Sequence, residues 1–496
     1  MDKLLSARLS RAIAPAMGAA LVCLLAGCQS YERAPLSIAD HRDSMRTRLS
    51  DTEPIAGFVE RLTAQGWEVP AHFDLSDGIS LPEGEVLALF YNADLRLARL
   101  DAGVALANYE TAGLWEDPEF GFDGAEILSP SGSPFEFGLT LSLTIPISGR
   151  LGVEKDRAGA AYEAELRRIV DAEWATRAQV RSAWAAWTVS LNRLSLLQDT
   201  VVQTERIVSI ADRLERAEEL TRVEARLLRA ALVQARSDVA QAERDEIRTR
   251  IALLGLMGLT PDTEAQLLPS LATRETPPVE DPVQRLIEAN TALAVRRSEY
   301  QVAEETLRLE VRKQYPDITI GSGYGSEDDD DRLLLGVSMP IPSLNANRAG
   351  IADARAQREV ARATAETTFE RLARELANAQ AELNAVRSQL AFYESELVPM
   401  FDEQTSEVDQ LAGLGEVDTF VLLETVTQTY ATKSRLLDLR AAEIAAVTEI
   451  DRLLGPEQSA SPAPVSVDGE GNGETLFDDT HETAAQGDAP ADGASQ

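Results

Sequence analysis

The chain has 496 residues, 26% of them charged and only 5% aromatic, with a formal net charge of −35. So acidic a composition excludes a basic face for nucleic acid or anionic lipid. Few aromatic residues and long alanine-rich stretches point to helices rather than to the cores of two or three globular domains.

Residues 1–27 read as a cleaved targeting segment. Lys3, Arg8 and Arg11 precede an apolar run from about Ala12 to Ala26, which is shorter than the roughly 20 residues of a membrane-spanning helix. The run ends in Leu25-Ala26-Gly27-Cys28, followed by Gln29. That ending resembles a bacterial lipobox, in which cleavage precedes the cysteine and its thiol carries lipid, so Cys28 is the candidate lipidation site. Cys23 leaves with the signal, and one modified cysteine permits no disulfide.

Residues 28–80 form an N-terminal periplasmic segment, broken by Pro35, Pro54 and Pro70. A helix is expected from Leu81-Pro82-Glu83, with proline in the first turn and an acid at the positive end of the dipole. It should run to about Trp115, with a break near Asn92.

The period then changes to two. Phe135, Phe137, Leu139, Leu141, Leu143 and Ile145 alternate with Glu136, Gly138, Thr140, Ser142 and Thr144. Such a stretch matches a tilted bilayer-spanning strand of roughly 9–11 residues. Glu119 to Phe122 is its weaker partner, across a Ser/Pro/Gly loop at 129–134. Further on, Ile318, Ile320 and Tyr324 alternate with Thr319, Gly321 and Gly323. A last strand alternates through Leu333, Leu335, Val337, Met339 and Ile341. The run Glu327-Asp328-Asp329-Asp330-Asp331 reads as the loop of this hairpin and, being acidic, must lie outside hydrocarbon.

Each hairpin is followed by a helical stretch. About 66 residues from Arg150 carry no proline, enough for roughly 100 Å of helix. Leu372, Leu376, Ala379, Leu383, Val386, Leu390, Tyr393 and Leu397 step by fours and threes, a seam for antiparallel coiled-coil packing.

The landmarks recur after about two hundred residues, as an internal duplication requires. Asn92 returns as Asn290, Pro118 as Pro316, Pro146 as Pro340, Glu218 as Gly415 and Gly258 as Gly455. The repeats span residues 81–259 and 283–455, joined by a proline-rich linker at 260–282. The tail, 456–496, has no Lys or Arg and has the composition of disorder.

Four strands cannot close a barrel, and an open edge is untenable in lipid, so closure needs several copies. Two copies give eight strands, filled by side chains; three give twelve, with room for a pore. The expected fold is mainly α with a transmembrane β part. It is a duplicated helix–β-hairpin–long helix–helix unit, assembled as a trimeric twelve-stranded β-barrel; that the helices continue it as a long α-helical periplasmic barrel is what the resemblance described next implies.

Several segments together resemble the TolC-like outer-membrane efflux proteins. Asn92-Ala93-Asp94-Leu95 and Asn290-Thr291-Ala292-Leu293 are similar to that family's entry to its first long helix. Asp117-Pro118-Glu119-Phe120 and Tyr315-Pro316-Asp317-Ile318 resemble its helix-to-strand switch. Leu143-Thr144-Ile145-Pro146-Ile147 and Val337 to Pro342 resemble the reverse switch. Pro340 to Arg348 is similar to the CzcC-like members, which serve heavy-metal pumps. The resemblance implies a homotrimer in the outer membrane, a periplasmic adaptor (membrane fusion protein) and an inner-membrane pump of RND type.

It also implies roles for residues at the helical tips, Ala217 to Glu224 and Leu414 to Asp418. Glu424 falls where an inner acidic gate residue sits in the family, and the position of a second gate acid falls on Val421. Gly415 and Asp418 belong to the second tip turn, and Glu224 would tether the tips. Glu218 stands where the family has Gly, which costs a side chain if the position needs positive φ. The acids Glu327 to Asp331 would concentrate cations at the outer mouth. No phosphate-cradling glycine loop, cysteine pair or nucleophile motif appears, so no enzyme and no cofactor is expected. His41, His72 and His481 do not cluster, so no histidine-based metal site is expected either. The competing reading is a periplasmic structural or adaptor coiled-coil lipoprotein that never spans the membrane.

Overall fold

In a computed structural model of the chain, the described residues are 31, 33–50, 52–64, 67, 69–70, 73–126, 135–273, 279–327, 330–414 and 418–456. Cys28, residues 127–134, which include the expected loop at 129–134, Asp328, Asp329, Gly415 and the residues beyond Pro456 lie outside them. The chain divides into two units, Met1–Thr47 and Arg48–Gln496. The first holds helix α1 (Ile38–Thr47), which buries no side chain; all that follows concerns the second.

Helix α2 (Glu53–Ala64) buries Ile55, Phe58 and Leu62 at helical spacing on one face. Helix α3 (Leu81–Tyr91) opens on a capping box, in which the Ser80 N–H donates to the Glu83 carboxylate at 2.8 Å. Helix α4 (Ala93–Thr111) follows at once. It stops short of the expected Trp115 because Gly113 turns left-handed at φ 75°. A Cβ there would lie 2.7 Å from the Leu151 carbonyl oxygen, so the turn is closed to larger residues.

Strands β1 (Glu119–Glu126) and β2 (Phe135–Ile145) form the first hairpin. Helix α5 (Arg150–Arg216) runs unbroken for 67 residues, roughly 100 Å at the α-helical rise, and returns through α6 (Arg222–Leu256). The second repeat begins with α7 (Pro282–Ala289) and α8 (Thr291–Arg312). Its hairpin is β3 (Ile318–Glu327) and β4 (Asp330–Ser338). Helix α9 (Arg348–Phe392) passes through a π-helical turn (Tyr393–Leu397) into α10 (Val398–Leu414), and α11 (Thr419–Leu454) closes the unit. The sequence predicts one uninterrupted seam along α9 and beyond. Leu372, Leu376, Ala379, Val386 and Leu390 are buried as expected, but the π turn ends the pattern.

The largest core lies where α3, α5 and α6 meet. Trp184 and Trp187 of α5 pack edge to face at 5.9 Å among Val86, Leu87, Leu253, Leu254 and Met257. The smaller second-repeat core gathers Leu286, Leu293, Leu372, Leu376 and Leu453.

The duplication is visible at atomic detail. The Asn92 amide donates to the Leu256 carbonyl at 3.0 Å while its oxygen caps α4 at Asp94 N–H. Asn290 repeats this, donating to Leu453 at 2.9 Å and accepting from Leu293 N–H at 2.8 Å. Each asparagine satisfies a helix start and a helix end together.

Candidate functional site: an amphipathic sheet and two helical tips

The four strands form one antiparallel sheet in the order β1-β2-β3-β4, so β1 and β4 each have one unpaired edge. Directly paired residues share a face. Phe120 pairs with Leu141 and Phe122 with Leu139. Leu139 pairs with Tyr324 and Leu143 with Ile320. Ile320 pairs with Val337 and Tyr324 with Leu333. One face is therefore largely apolar, interrupted at Ser322, which pairs with Leu141 and Leu335, with Phe120 70% and Leu335 80% exposed. Exposed apolar area of this extent is untenable in water and marks a membrane or protein contact.

The opposite face carries Thr140, Ser142, Thr144, Thr319 and Ser338 with glycines between them. Thr144 and Thr319 hydroxyls bond across the strands at 3.2 Å. Leu334 is the apolar exception there. The sheet is thus amphipathic across its thickness, as a barrel stave with an aqueous lumen must be. Among the described residues, no helix is long and apolar enough to cross a membrane.

The base of the sheet is tied to the helices by charge. Arg150, at the start of α5, donates to Asp317 at 2.7 Å and to Glu116 at 2.7 Å. The Ser148 hydroxyl donates to the same aspartate at 3.0 Å. This latch joins the strand-to-helix switch of the first repeat to the helix-to-strand switch of the second.

The acidic run is less of a loop than its composition suggests. Glu327 pairs with Asp330, and Asp331 with Ser326, so three of the five acids end strands. The ladder continues into them because paired backbones outrun the sequence pattern of their side chains. Asp328 and Asp329 lie outside the described residues.

At the second tip, Asp418 is the N-cap of α11 and accepts from Phe420 N–H at 2.8 Å. Glu424 is exposed and accepts from the Gln428 amide at 2.7 Å, one helical turn on. At the first tip, Glu224 closes the capping box of α6. Its carboxylate accepts from the Thr221 N–H at 2.8 Å and the Thr221 hydroxyl at 2.7 Å. Those two bonds hold its carboxyl below the usual range. The structure thus gives Glu224 a partner at the N-cap of its own helix. Glu218 sits in the left-handed region at φ 61°, the conformation in which a glycine would be relaxed.

One cluster escapes the sequence reading. Glu85 of α3 is buried and accepts from Arg177 at 2.9 Å and from Arg181, both on α5. Asp451 of α11 stands 3.5 Å from Arg181. Arg177 also lies over the rings of Trp67 and Trp174 at 5.7 and 5.4 Å. A cavity of about 250 Å³ is lined by Glu85, Arg177, Arg181 and Asp451 together with Leu81 and Val447. The available signal was a glutamate immediately before the apolar stretch Val86 to Phe90, but nothing local names its partners.

The model of the outer membrane efflux protein family matches residues 86–259. The cobalt-zinc-cadmium resistance protein CzcC of Cupriavidus metallidurans is 21% identical over 317 residues, 64% of this chain and 76% of that protein. A membrane protein from Pseudomonas aeruginosa shares the fold with a TM-score of 0.65 at 20% identity, covering 82% of this chain and 99% of that one. The outer membrane channel CmeC of Campylobacter jejuni does so at 0.66 and 14% identity, covering 86% and 94%. The matching family is one of outer membrane efflux proteins, and CmeC is an outer membrane channel. The family match lies within the first repeat, and the fold is shared over 86% of the chain with that outer membrane channel.

Proposed function

We propose that this chain is the outer-membrane duct of a tripartite efflux system. Three copies seal one barrel of twelve strands. Their helices continue the tube into the periplasm, where an adaptor and an RND-type inner-membrane pump meet the tips. The duct itself is passive; the pump supplies the energy. The observation that carries this reading is the sheet: an exposed apolar face, a polar opposite face and two open edges on one chain. Heavy-metal cations are the proposed cargo, supported by the likeness to CzcC and by the net charge of −35. Glu424, exposed on α11, and the acids Glu327 to Asp331 would favour cations along the path. Cys28 would anchor each copy to the outer membrane by its lipid.

Single cysteines at Leu139 and Leu335 in cells provide the test. Both are expected to be shielded from aqueous maleimide, and the detergent-purified protein to have the mass of three chains and to conduct in a planar bilayer. Ready labelling of both positions with a monomeric particle would favour the non-spanning periplasmic lipoprotein instead. For cargo, deletion is expected to sensitise cells to cobalt, zinc or cadmium; unchanged tolerance of all three would overturn the cation reading while leaving the duct intact.

A further inference from the structure

The two open edges of the sheet cannot meet level. Among the described strands the ladder runs without a bulge, and Glu119, Ser142, Gly321 and Gly336 stand in one row across the four strands. A ring of copies extends that row from β4 into β1 of the next copy. Were Gly336 to meet Glu119 there, the row would close on itself and the strands would stand upright. Barrel strands tilt by typically 35–45°, so the row climbs at each seam. The climb is an even number of residues, because an odd one turns the apolar face of β1 inward. At about 3.4 Å per residue and about 4.8 Å between strands, a climb of two residues per copy gives a tilt of roughly 20°, four roughly 35° and six roughly 47°.

The duplication selects among these. The junction of β2 with β3 joins one repeat to the other inside the chain, and the seam of β4 with β1 does the same between copies. Inside the chain Ile145, just before Pro146, pairs with Ile318, two residues past Pro316. Their counterparts are Met339, just before Pro340, and Phe120, two residues past Pro118. The longer connection from Pro340 to Arg348 lies beyond the strands and leaves this correspondence untouched. Setting Met339 opposite Phe120 brings Gly336 opposite Asp123, which is the climb of four. All 8 residues of β1 then find partners, from Glu126 at Leu333 to Glu119 at Pro340, where a residue without an N–H ends the ladder. The same climb in the other direction would leave β1 three partners in β4. The seam thus reaches past Ser338 to Met339, which is 51% exposed on the single chain. Asp123 comes to stand between Gly138 of its own chain and Gly336, where an added Cβ meets nothing within 4 Å. Charge agrees: Arg348 opens α9 as Arg150 opens α5, Glu119 holds the place of Asp317, and both Arg348 and Glu119 are exposed.

We infer that copies of this chain join in one register, with Phe120, Phe122 and Asp123 of β1 opposite Met339, Val337 and Gly336 of the next copy. The inference rests on the duct reading and adds to it the alignment of the seam, and with that a strand tilt of roughly 35°.

Cysteine pairs in the full-length protein, oxidised in native outer membranes, test it. Directly opposed residues hold their Cβ atoms about 4.5–5.5 Å apart, close enough for a disulfide after small shifts. Phe122→Cys with Val337→Cys, and Asp123→Cys with Gly336→Cys, are the two matched pairs. They lie on opposite faces, so one of them is the narrow kind however the ladder bonds alternate. At least one is expected to give a covalent three-chain ring, with about fivefold more linked chain than the shifted pairs. The shifted pairs set Phe122→Cys against Leu333→Cys or Met339→Cys, and Asp123→Cys against Arg332→Cys or Ser338→Cys. Stronger linking of a shifted pair overturns the register and leaves the ring standing. Detergent mass before oxidation reports the assembly of every variant, and where one double variant fails to assemble the other decides. Three-chain mass with neither matched pair linked overturns the register alone. A natural chain of monomeric mass would take the duct reading down together with the register.

Discussion

Glu218 holds a left-handed backbone that an L-residue adopts at a cost of about 1–2 kcal/mol. It does so because α5 ends in a closed turn: the Leu214 carbonyl accepts the N–H groups of Glu219 at 2.9 Å and Leu220 at 3.3 Å. Glycine would remove the steric cost but adds roughly 0.5–1 kcal/mol of unfolded-chain entropy. Glu218→Gly is therefore expected to stabilise the tip by up to about 1 kcal/mol, seen as slower amide exchange at residues 214–221. Faster exchange would mean that the glutamate side chain contributes contacts of its own. Gly455 shows the opposite case. At φ 71°, a Cβ would come within 2.0 Å of the Ala289 carbonyl oxygen, and at Gly258 within 2.4 Å of the Tyr91 oxygen. These are backbone atoms that no rotamer can move aside. Gly455→Ala is expected to destabilise by about 3 kcal/mol or more, measured as a lowered midpoint of thermal unfolding.

Among elements, α3 and α5 are joined by a buried charge cluster whose pH dependence has a definite sign. Burial pushes the Glu85 carboxyl up, but the Arg177 and Arg181 guanidiniums outweigh it and hold the carboxyl below the usual range. A folded-state pKa below the unfolded one contributes stability at neutral pH. That contribution is lost as pH falls through the folded value. Glu85→Gln takes this counter-charge from the buried Arg177 and leaves Arg181 with Asp451, and is expected to cost about 3–5 kcal/mol at neutral pH. Its stability should then fall less steeply in acid than that of the natural chain, as a series of unfolding midpoints from neutral to acid would show. A parallel fall in both proteins would remove Glu85 from the account. In the sheet, the apolar face fixes a second expectation. Leu335→Arg places a charge at the middle of β4 and is expected to cost about 2–4 kcal/mol of barrel stability in lipid, read by urea unfolding in vesicles. Ser338→Arg, on the opposite face near the strand end, is expected to cost less than half of that.

For the molecule as a whole, closure is an assembly property. A sheet with two open edges and a wet polar face has no stable solution as a single copy in lipid. Helices anchored by twin asparagine joints hold each hairpin at a set position, so sealing requires copies rather than rearrangement. The proposed anchorage at Cys28 is a separate matter, because a lipid would add membrane affinity without changing the barrel. Cys28→Ser is expected to abolish metabolic labelling with palmitate while leaving three-chain assembly intact. Labelling that persists would move the lipid from Cys28.

The sequence by itself determined what depends on local period and on backbone chemistry. Alternation from Phe135 to Ile145 specified a strand and its two faces. The proline-free stretch after Arg150 specified a long helix, and the recurrence of Asn92 at Asn290 specified two copies of one unit. Each follows from side-chain geometry within a few residues, which a chain carries wherever it is placed. Tertiary structure decided what depends on partners distant in the chain. Glu85 finds Arg177 and Arg181, the acids at Glu327, Asp330 and Asp331 join a ladder, and Arg150 latches Asp317. The π turn at Tyr393–Leu397, just before Pro399, interrupts a seam that the sequence pattern carries through without a break. The reason is physical: a pattern fixes which face of an element seeks burial, whereas the identity of the group that covers it is settled only when elements from the whole chain compete for the same space.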